Sequence, residues 1–345
     1  STDFLGYKQV DGEYELPAIT GTVAPDEFTA LDGHAQWLYD FGGCRRRDWS
    51  GSPRWWRGPI FCGWGEQCQY APNAQDAATQ ENYTKMSRRL DELGLKPTAI
   101  IIDDKWQTSY GEALPDPRKW PDLRGFVEEQ QTRDRRVMLW FKAWNTEGLP
   151  ADECINLWSQ PLGADPNSPA YQRRVREFMA KLLGNGPGCC NCAGFKVDFA
   201  NVMPLGRDLR GTTGHYGIEL LKQWFRLFYD SAKAVKPDCL INASCAHPYF
   251  AEVTDQARLH DCWGPLHAAW EVMSFRWRLF QAALPGVLID TDGISSSRWE
   301  TMNYFRRCPQ LGVPDLYFLS GGPGLTPEDW AETRRIWEDY SKKIG

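Results

Sequence analysis

From about residue 53 onward, short apolar runs rich in Val, Ile, Phe and Trp alternate with longer amphipathic stretches. A short apolar run bounded by turn residues reads as a buried strand, and apolar positions recurring at helical spacing mark a helix with one buried face. On that basis strands are predicted over 59–64, 98–103, 137–144, 194–199, 239–244, 257–261, 286–290 and 315–319. Helices are predicted between and after them, over 80–95, 123–133, 170–183, 218–235, 267–284, 298–311 and 327–344. The stretch 245–256 is too short for a full helix and reads as a loop or a single turn. Residues 1–52 differ, with Gly, Pro and acidic turns and one helix-like segment near 28–39, and are read as a lead-in or the edge of a further domain. Residues 53–345 then form one α/β unit, a (β/α)8 TIM barrel, whose functional groups belong where strands run out into βα loops. An open doubly wound sheet is disfavoured, because 59–70 lacks the glycine-rich phosphate loop that usually follows its first strand.

Composition narrows the chemistry. The formal net charge is −6 and no basic stripe is present, so neither nucleic acid nor an anionic membrane is expected as a partner. No apolar run is long enough to span a bilayer, and Ser1-Thr2-Asp3-Phe4 does not open a retained signal peptide; a cytoplasmic location is expected. The 11 cysteines read as buried free thiols, since Cys189, Cys190 and Cys192 have no second pair at zinc-site spacing. Neither a metal nor an organic cofactor is expected. The 17 Trp fit a carbohydrate site, because sugars stack apolar C–H faces on aromatic rings while their hydroxyls seek polar partners.

Carboxylates recur at the predicted strand ends: Asp103 and Asp104 on the second, Asp198 on the fourth, Asp261 on the sixth, Asp290 and Asp292 on the seventh. One such residue is ordinary as a helix cap; four strands ending this way suggest a shared site. Glycosidic cleavage needs two carboxyl groups, one to attack and one to protonate the departing oxygen. In Lys196-Val197-Asp198, strand alternation sends Lys196 and Asp198 to the same side, where the cation favours an ionised carboxylate. Its partner must hold a proton near neutrality, which a close negative neighbour favours. Glu66, Glu147 and Asp255 compete with Asp261 for the acid role. Trp64, Trp106, Trp140 and Trp144 at strand ends are expected to line the sugar site, with His247 over the mouth as a hydroxyl ligand. His260 is read as a hydrogen-bonded wall residue.

These motifs resemble glycoside hydrolase clan D, the α-galactosidase-like barrels of families 27 and 36, and more distantly the family 31 α-glucosidases. The similarity extends from about Trp55 to Gly322. Asp103-Asp104-Lys105-Trp106 is similar to the family's Asp-Asp-x-Trp, where the acid pair holds sugar hydroxyls. Trp120-Pro121-Asp122-Leu123 through Val137-Met138-Leu139-Trp140-Phe141 resembles the passage into a Gly-Leu-Trp-Phe third strand. Lys196-Val197-Asp198 matches the Lys-x-Asp nucleophile motif, Arg258-Leu259-His260-Asp261 resembles the sixth-strand Arg followed by the acid/base, and Asp290-Thr291-Asp292 resembles the Asp-Pro-Asp ending the seventh strand. Two departures fall in sugar-recognition loops: Asn242 to Phe250 carries no Cys-x-x-Gly-Gly, and Lys142-Ala143-Trp144-Asn145 stands where family 36 has Glu-Pro-Glu. The resemblance implies a retaining α-glycosidase, α-galactosidase-like, with Asp198 as nucleophile and Asp261 as acid/base. It further implies that Asp103, Asp104, Lys196, Arg258 and Asp292 bind an oligosaccharide or glycoside. An α-glucosidase or transglycosylase of the same mechanism, a catalytically silent carbohydrate-binding barrel, and a metal-assisted enzyme using Asp103, Asp198 and Asp290 are the alternatives.

Overall fold

The computed structural model describes residues 11–13, 18–206, 208–213, 215–263, 269–295, 297–320 and 322–344. Eight parallel strands form one sheet: β1 (Ile60–Cys62), β2 (Ala99–Ile102), β3 (Arg136–Lys142), β4 (Gly194–Asp198), β5 (Leu240–Ala243), β6 (Gln256–Arg258), β7 (Leu288–Asp290) and β8 (Asp315–Leu316). Each pairs with its neighbours in chain order, and β8 pairs back onto β1. The remaining seam, β7 to β8, is joined by a parallel bridge between Asp290 and Val313, with the Val313 N–H donating to the Ile289 carbonyl at 2.7 Å. This is the (β/α)8 barrel expected from the strand pattern, and every predicted strand contributes a stave.

The alternation of a strand divides the apolar side chains into two layers. Val137, Leu139, Phe141, Phe195, Val197 and Ile241 face outward into one core with the helices, while Ile60, Ile101, Met138, Trp140 and Leu240 belong to a second core inside the barrel. Trp56 joins that inner core; its indole N–H donates to the Asp238 carbonyl, and its own carbonyl accepts from Gln256. Polar groups are thereby left for the ends of the staves.

The outer ring comprises α2 (Trp64–Tyr70), α3 (Gln80–Leu93), α4 (Leu123–Gln131), α5 (Pro169–Leu183), α6 (Gly217–Val235), α7 (Ala269–Ala283), α8 (Arg298–Arg307) and α9 (Pro327–Lys343), after an N-terminal α1 (Glu27–Asp40). Side-chain caps set several starts: Asp26 for α1, Thr79 for α3, Ser168 with Pro169 for α5, and a reciprocal Thr326/Asp329 box for α9. Gly94, at φ 68°, ends α3. The short α2 has no counterpart among the predicted helices, and the predicted start of α7 at 267–268 lies outside the described residues. Between β5 and β6 the chain makes only a 3-10 turn, Pro248–Val253.

One feature at the C-terminal ends of the strands escapes the sequence pattern. Cys154–Leu157 and Gln160–Ala164 form an antiparallel hairpin after β3, and Leu209–Arg210, from the segment after β4, adds a third strand. The hairpin turns through Trp158 and Ser159 at φ 47° and 73°, a conformation in which Asn-Gly is the usual signal.

Candidate active site

Asp198 ends β4 with its carboxylate held from three directions. Its Oδ1 accepts from Arg258 Nη2 and from the Phe199 N–H, both at 2.9 Å, and its Oδ2 accepts from the Trp140 indole at 3.2 Å. Phe199 itself takes φ 58°, so the chain leaves its extended path directly after Asp198. Burial pushes this carboxyl up, yet Arg258, Lys196, the Phe199 N–H and Trp140 together hold it below its ordinary value.

Arg258, fully buried at the end of β6, is the hub. Its Nη1 donates to Asp292 Oδ2 at 2.7 Å and to Asp261 Oδ1 at 3.3 Å, while Nη2 serves Asp198, so one guanidinium bridges the two candidate catalytic carboxyls. On a regular strand Asp261 would face away from Arg258, being three residues along. His260 breaks the alternation at φ 73° and brings Asp261 back into the mouth. Asp261 is pushed up to about 7, first by burial, then by the negative charge of Asp292 and a hydrogen bond with it, against Lys196 and Arg258. Asp292 shows the opposite: burial opposes its charge, but Arg258, Lys196 and hydrogen bonds from Asp261 and Tyr317 hold it well below the usual carboxylate range.

A second buried network lies beneath. Lys196 Nζ donates to Asp103 Oδ2 at 2.9 Å, Tyr317 Oη at 3.0 Å and Cys62 Sγ at 3.3 Å, and the Tyr317 hydroxyl donates to Asp292 Oδ1 at 2.6 Å. Asp104 accepts from Tyr110 at 2.6 Å and Gln75 at 2.9 Å, and burial raises its carboxyl. Asp290 sits deeper, accepting from Asn242 at 2.6 Å, and is pushed up to about 6 by burial and by Asp292.

Several sequence expectations take a different form. Trp106 and Trp144 are buried in the outer core rather than lining a sugar site: Trp106 donates to the Trp140 carbonyl, and Trp144 packs on Trp224 and donates to the Ala200 carbonyl. Trp64 is half-buried against the inner core at the start of α2. Asp292 is wholly enclosed, so its contacts are with Arg258, Asp261 and Tyr317 instead of a ligand. His247 caps the 3-10 turn, its Nδ1 accepting from the Tyr249 N–H. His260 is exposed, not a wall residue. The rival acids are otherwise engaged. Glu66 accepts from the Leu319 and Ser320 N–H groups, Asp255 is paired with Arg47 and Lys233 at the opposite end of β6, and Glu147 is paired with Lys105. Tyr317, Cys62, Tyr110 and Lys142 were not singled out from the sequence. For Tyr317 a signal existed: it shares strand parity with Asp315 in the apolar run 315–319.

Among the described residues, no group of three or more His, Cys, Asp or Glu side chains is arranged to hold a metal, and no helix is long and apolar enough to cross a membrane. No family model and no curated protein matches the chain. Solved structures do share the fold. A cycloalternan-degrading enzyme from Trueperella pyogenes aligns over 91% of this chain and 51% of its own, at 15% identity and a TM-score of 0.64, and has also been solved with a covalent intermediate. A cycloalternan-forming enzyme from Listeria monocytogenes aligns over 91% of this chain and 33% of its own, at 12% identity and a TM-score of 0.60. An alpha-galactosidase from Thermus thermophilus, solved with stachyose, aligns over 90% of this chain and 69% of its own, at 16% identity and a TM-score of 0.62. The chain thus spans about half the length of the first of these, and what it shares with all three is the barrel.

Proposed function

We propose that this chain carries the catalytic barrel of a retaining α-glycosidase, with Asp198 as nucleophile and Asp261 as general acid/base. The observation that carries the reading is the Arg258 guanidinium joined to both carboxyls, which their surroundings drive in opposite directions: Asp198 toward the ionised form, Asp261 toward the protonated form near neutrality. Two carboxyls with separated protonation are the requirement for one to attack and the other to donate. Asp198 attacks the anomeric carbon as Asp261 gives its proton to the departing oxygen. In the second half-reaction, ionised Asp261 takes a proton from water, or from a sugar hydroxyl in transglycosylation, as that oxygen bonds to the anomeric carbon and the glycosyl–Asp198 ester bond breaks, returning Asp198 as a carboxylate and Asp261 as the acid. Lys196 and Arg258 keep the nucleophile charged. The fold shared with an alpha-galactosidase and with an enzyme that has been solved with a covalent intermediate supports this reading, and α-galactosides head the candidate substrates.

The test is turnover of aryl α-galactosides, α-glucosides and α-N-acetylgalactosaminides by the parent chain and by Asp198→Asn and Asp261→Asn. Each variant is expected to lose about a hundredfold to ten-thousandfold in kcat with an unchanged melting profile. Full activity in both variants, or product released with inverted anomeric configuration, refutes the assignment.

A further inference from the structure

Lys142 ends β3 in register with Asp198 on β4. Its ammonium lies 4.8 Å from the centre of the Tyr110 ring and 4.9 Å from that of Phe199. Both rings frame the candidate nucleophile. Tyr110 packs 5.9 Å from Trp140 and donates to Asp104; Phe199 stands edge-on to Trp140 at 6.1 Å and holds Asp198 through its N–H; Trp140 itself donates to Asp198.

Neighbouring lysines at the mouth have acceptors. Lys105, also over the Tyr110 ring, is paired with Glu147, and Lys196 serves Asp103, Tyr317 and Cys62. Lys142 is half-buried, yet among the described residues its ammonium has no hydrogen-bond acceptor and no carboxylate within ion-pair distance. Ring faces attract a cation but satisfy none of its three N–H donors. Phe199 is 40% exposed at a positive φ, a conformation bulky side chains rarely adopt and one that recurs at ligand sites.

We propose that Lys142 is a specificity-determining residue, donating from Nζ to a hydroxyl oxygen of a neutral sugar bound against Asp198, with Phe199 meeting the sugar's apolar face. This rests on the glycosidase reading above. A neutral hydroxyl is the acceptor because the ionised Asp198 and Glu147 stand at the same mouth and repel a carboxylate or sulfate on the sugar. The pairing fits sugar chemistry: an apolar C–H surface for the ring, and an oxygen for the ammonium beside it.

The experiment compares the parent with Lys142→Met, which keeps the stem and removes the charge, and with Lys142→Arg, which restores a donor. It uses the neutral aryl glycoside cleaved fastest by the parent, and the matching uronide. Lys142→Met is expected to raise KM about tenfold to a hundredfold, the value of one hydrogen bond from a charged donor, with kcat within about threefold. Lys142→Arg recovers most of the loss, and melting temperatures stay level. Parent-like KM and kcat in Lys142→Met, a loss confined to kcat, or a uronide preferred by the parent overturns the proposal. If Asp198→Asn is inactive at the same time, the glycosidase reading survives. A parent that cleaves no glycoside sinks both.

Discussion

Arg258 holds three carboxyl groups at once, and their different fates are set by what else each one touches. Asp292 is enclosed between the guanidinium and the Tyr317 hydroxyl, which favour its charged form; Asp261, partly open to the mouth, is driven toward the protonated form, up to about 7. On the glycosidase reading proposed above, Asp292 is a positioning residue whose charge favours the protonated form of Asp261. The groups facing Asp261 are Asp292, which raises it, and Lys196 and Arg258, which lower it. Asp292→Asn keeps the shape and removes the raising charge, so Asp261 should lose its proton at lower pH. The alkaline limb of kcat/KM should move acidward from near 7, with activity falling more at pH 7.5 than at pH 5.5. A pH–rate profile checks this, and an unmoved limb would show that Asp292 does not set the acid. At this scale the residue types were legible in the sequence: Lys196-Val197-Asp198 alternates as a strand requires, and the acids stand at strand ends. Their pairings were not, because Arg258 and Tyr317 reach the same carboxylate from staves far apart in the chain.

The elements that carry the site were legible where hydrophobic periodicity was strong. Every barrel stave and every long helix follows from it, because a buried parallel strand must be apolar and a covering helix must be amphipathic. What stayed hidden is where the backbone leaves its regular path. The hairpin 154–164 turns on Trp158-Ser159, where no Asn-Gly marks the turn, and the kink that redirects Asp261 falls on His260, where no glycine announces a positive φ. That kink can be tested. His260→Gly removes the steric penalty of the left-handed conformation and should leave both the urea midpoint and turnover near parental values. His260→Val, β-branched at φ 73°, should cost about 1–2 kcal/mol and lower kcat as Asp261 is drawn from Arg258. Parental kcat in His260→Val would mean that the positive φ does not position the acid.

At the scale of the whole barrel, the interior carries more acid than base. Asp103, Asp198, Asp261, Asp290, Asp292 and Asp315 face Lys196 and Arg258 as their near cations. Packing so many carboxyls in low dielectric is tolerable only if some stay protonated, a balance that depends on burial and distance and so could not be read from the sequence. Asp315 is the extreme case. It is buried at the start of β8, its Oδ1 accepts from the Leu316 N–H at 2.7 Å, and its Oδ2 has no hydrogen-bond partner among the described residues. Burial first, then Asp290 and Asp292, raise its carboxyl well above the ordinary range, against Lys196 and the Leu316 N–H. In the unfolded chain this group ionises near pH 4, at about its reference value. Above that pH the folded state holds a proton that the unfolded state has released, so its contribution to stability is full at acid pH and declines as pH rises, by up to about 1.4 kcal/mol per pH unit. Asp315→Asn removes the proton requirement and retains the Oδ1 acceptor. Any cost of seating the amide is the same at every pH and cancels between conditions. The variant's melting temperature relative to the parent should therefore be higher at pH 8 than at pH 5, and a difference independent of pH would show that Asp315 is ionised in the folded barrel.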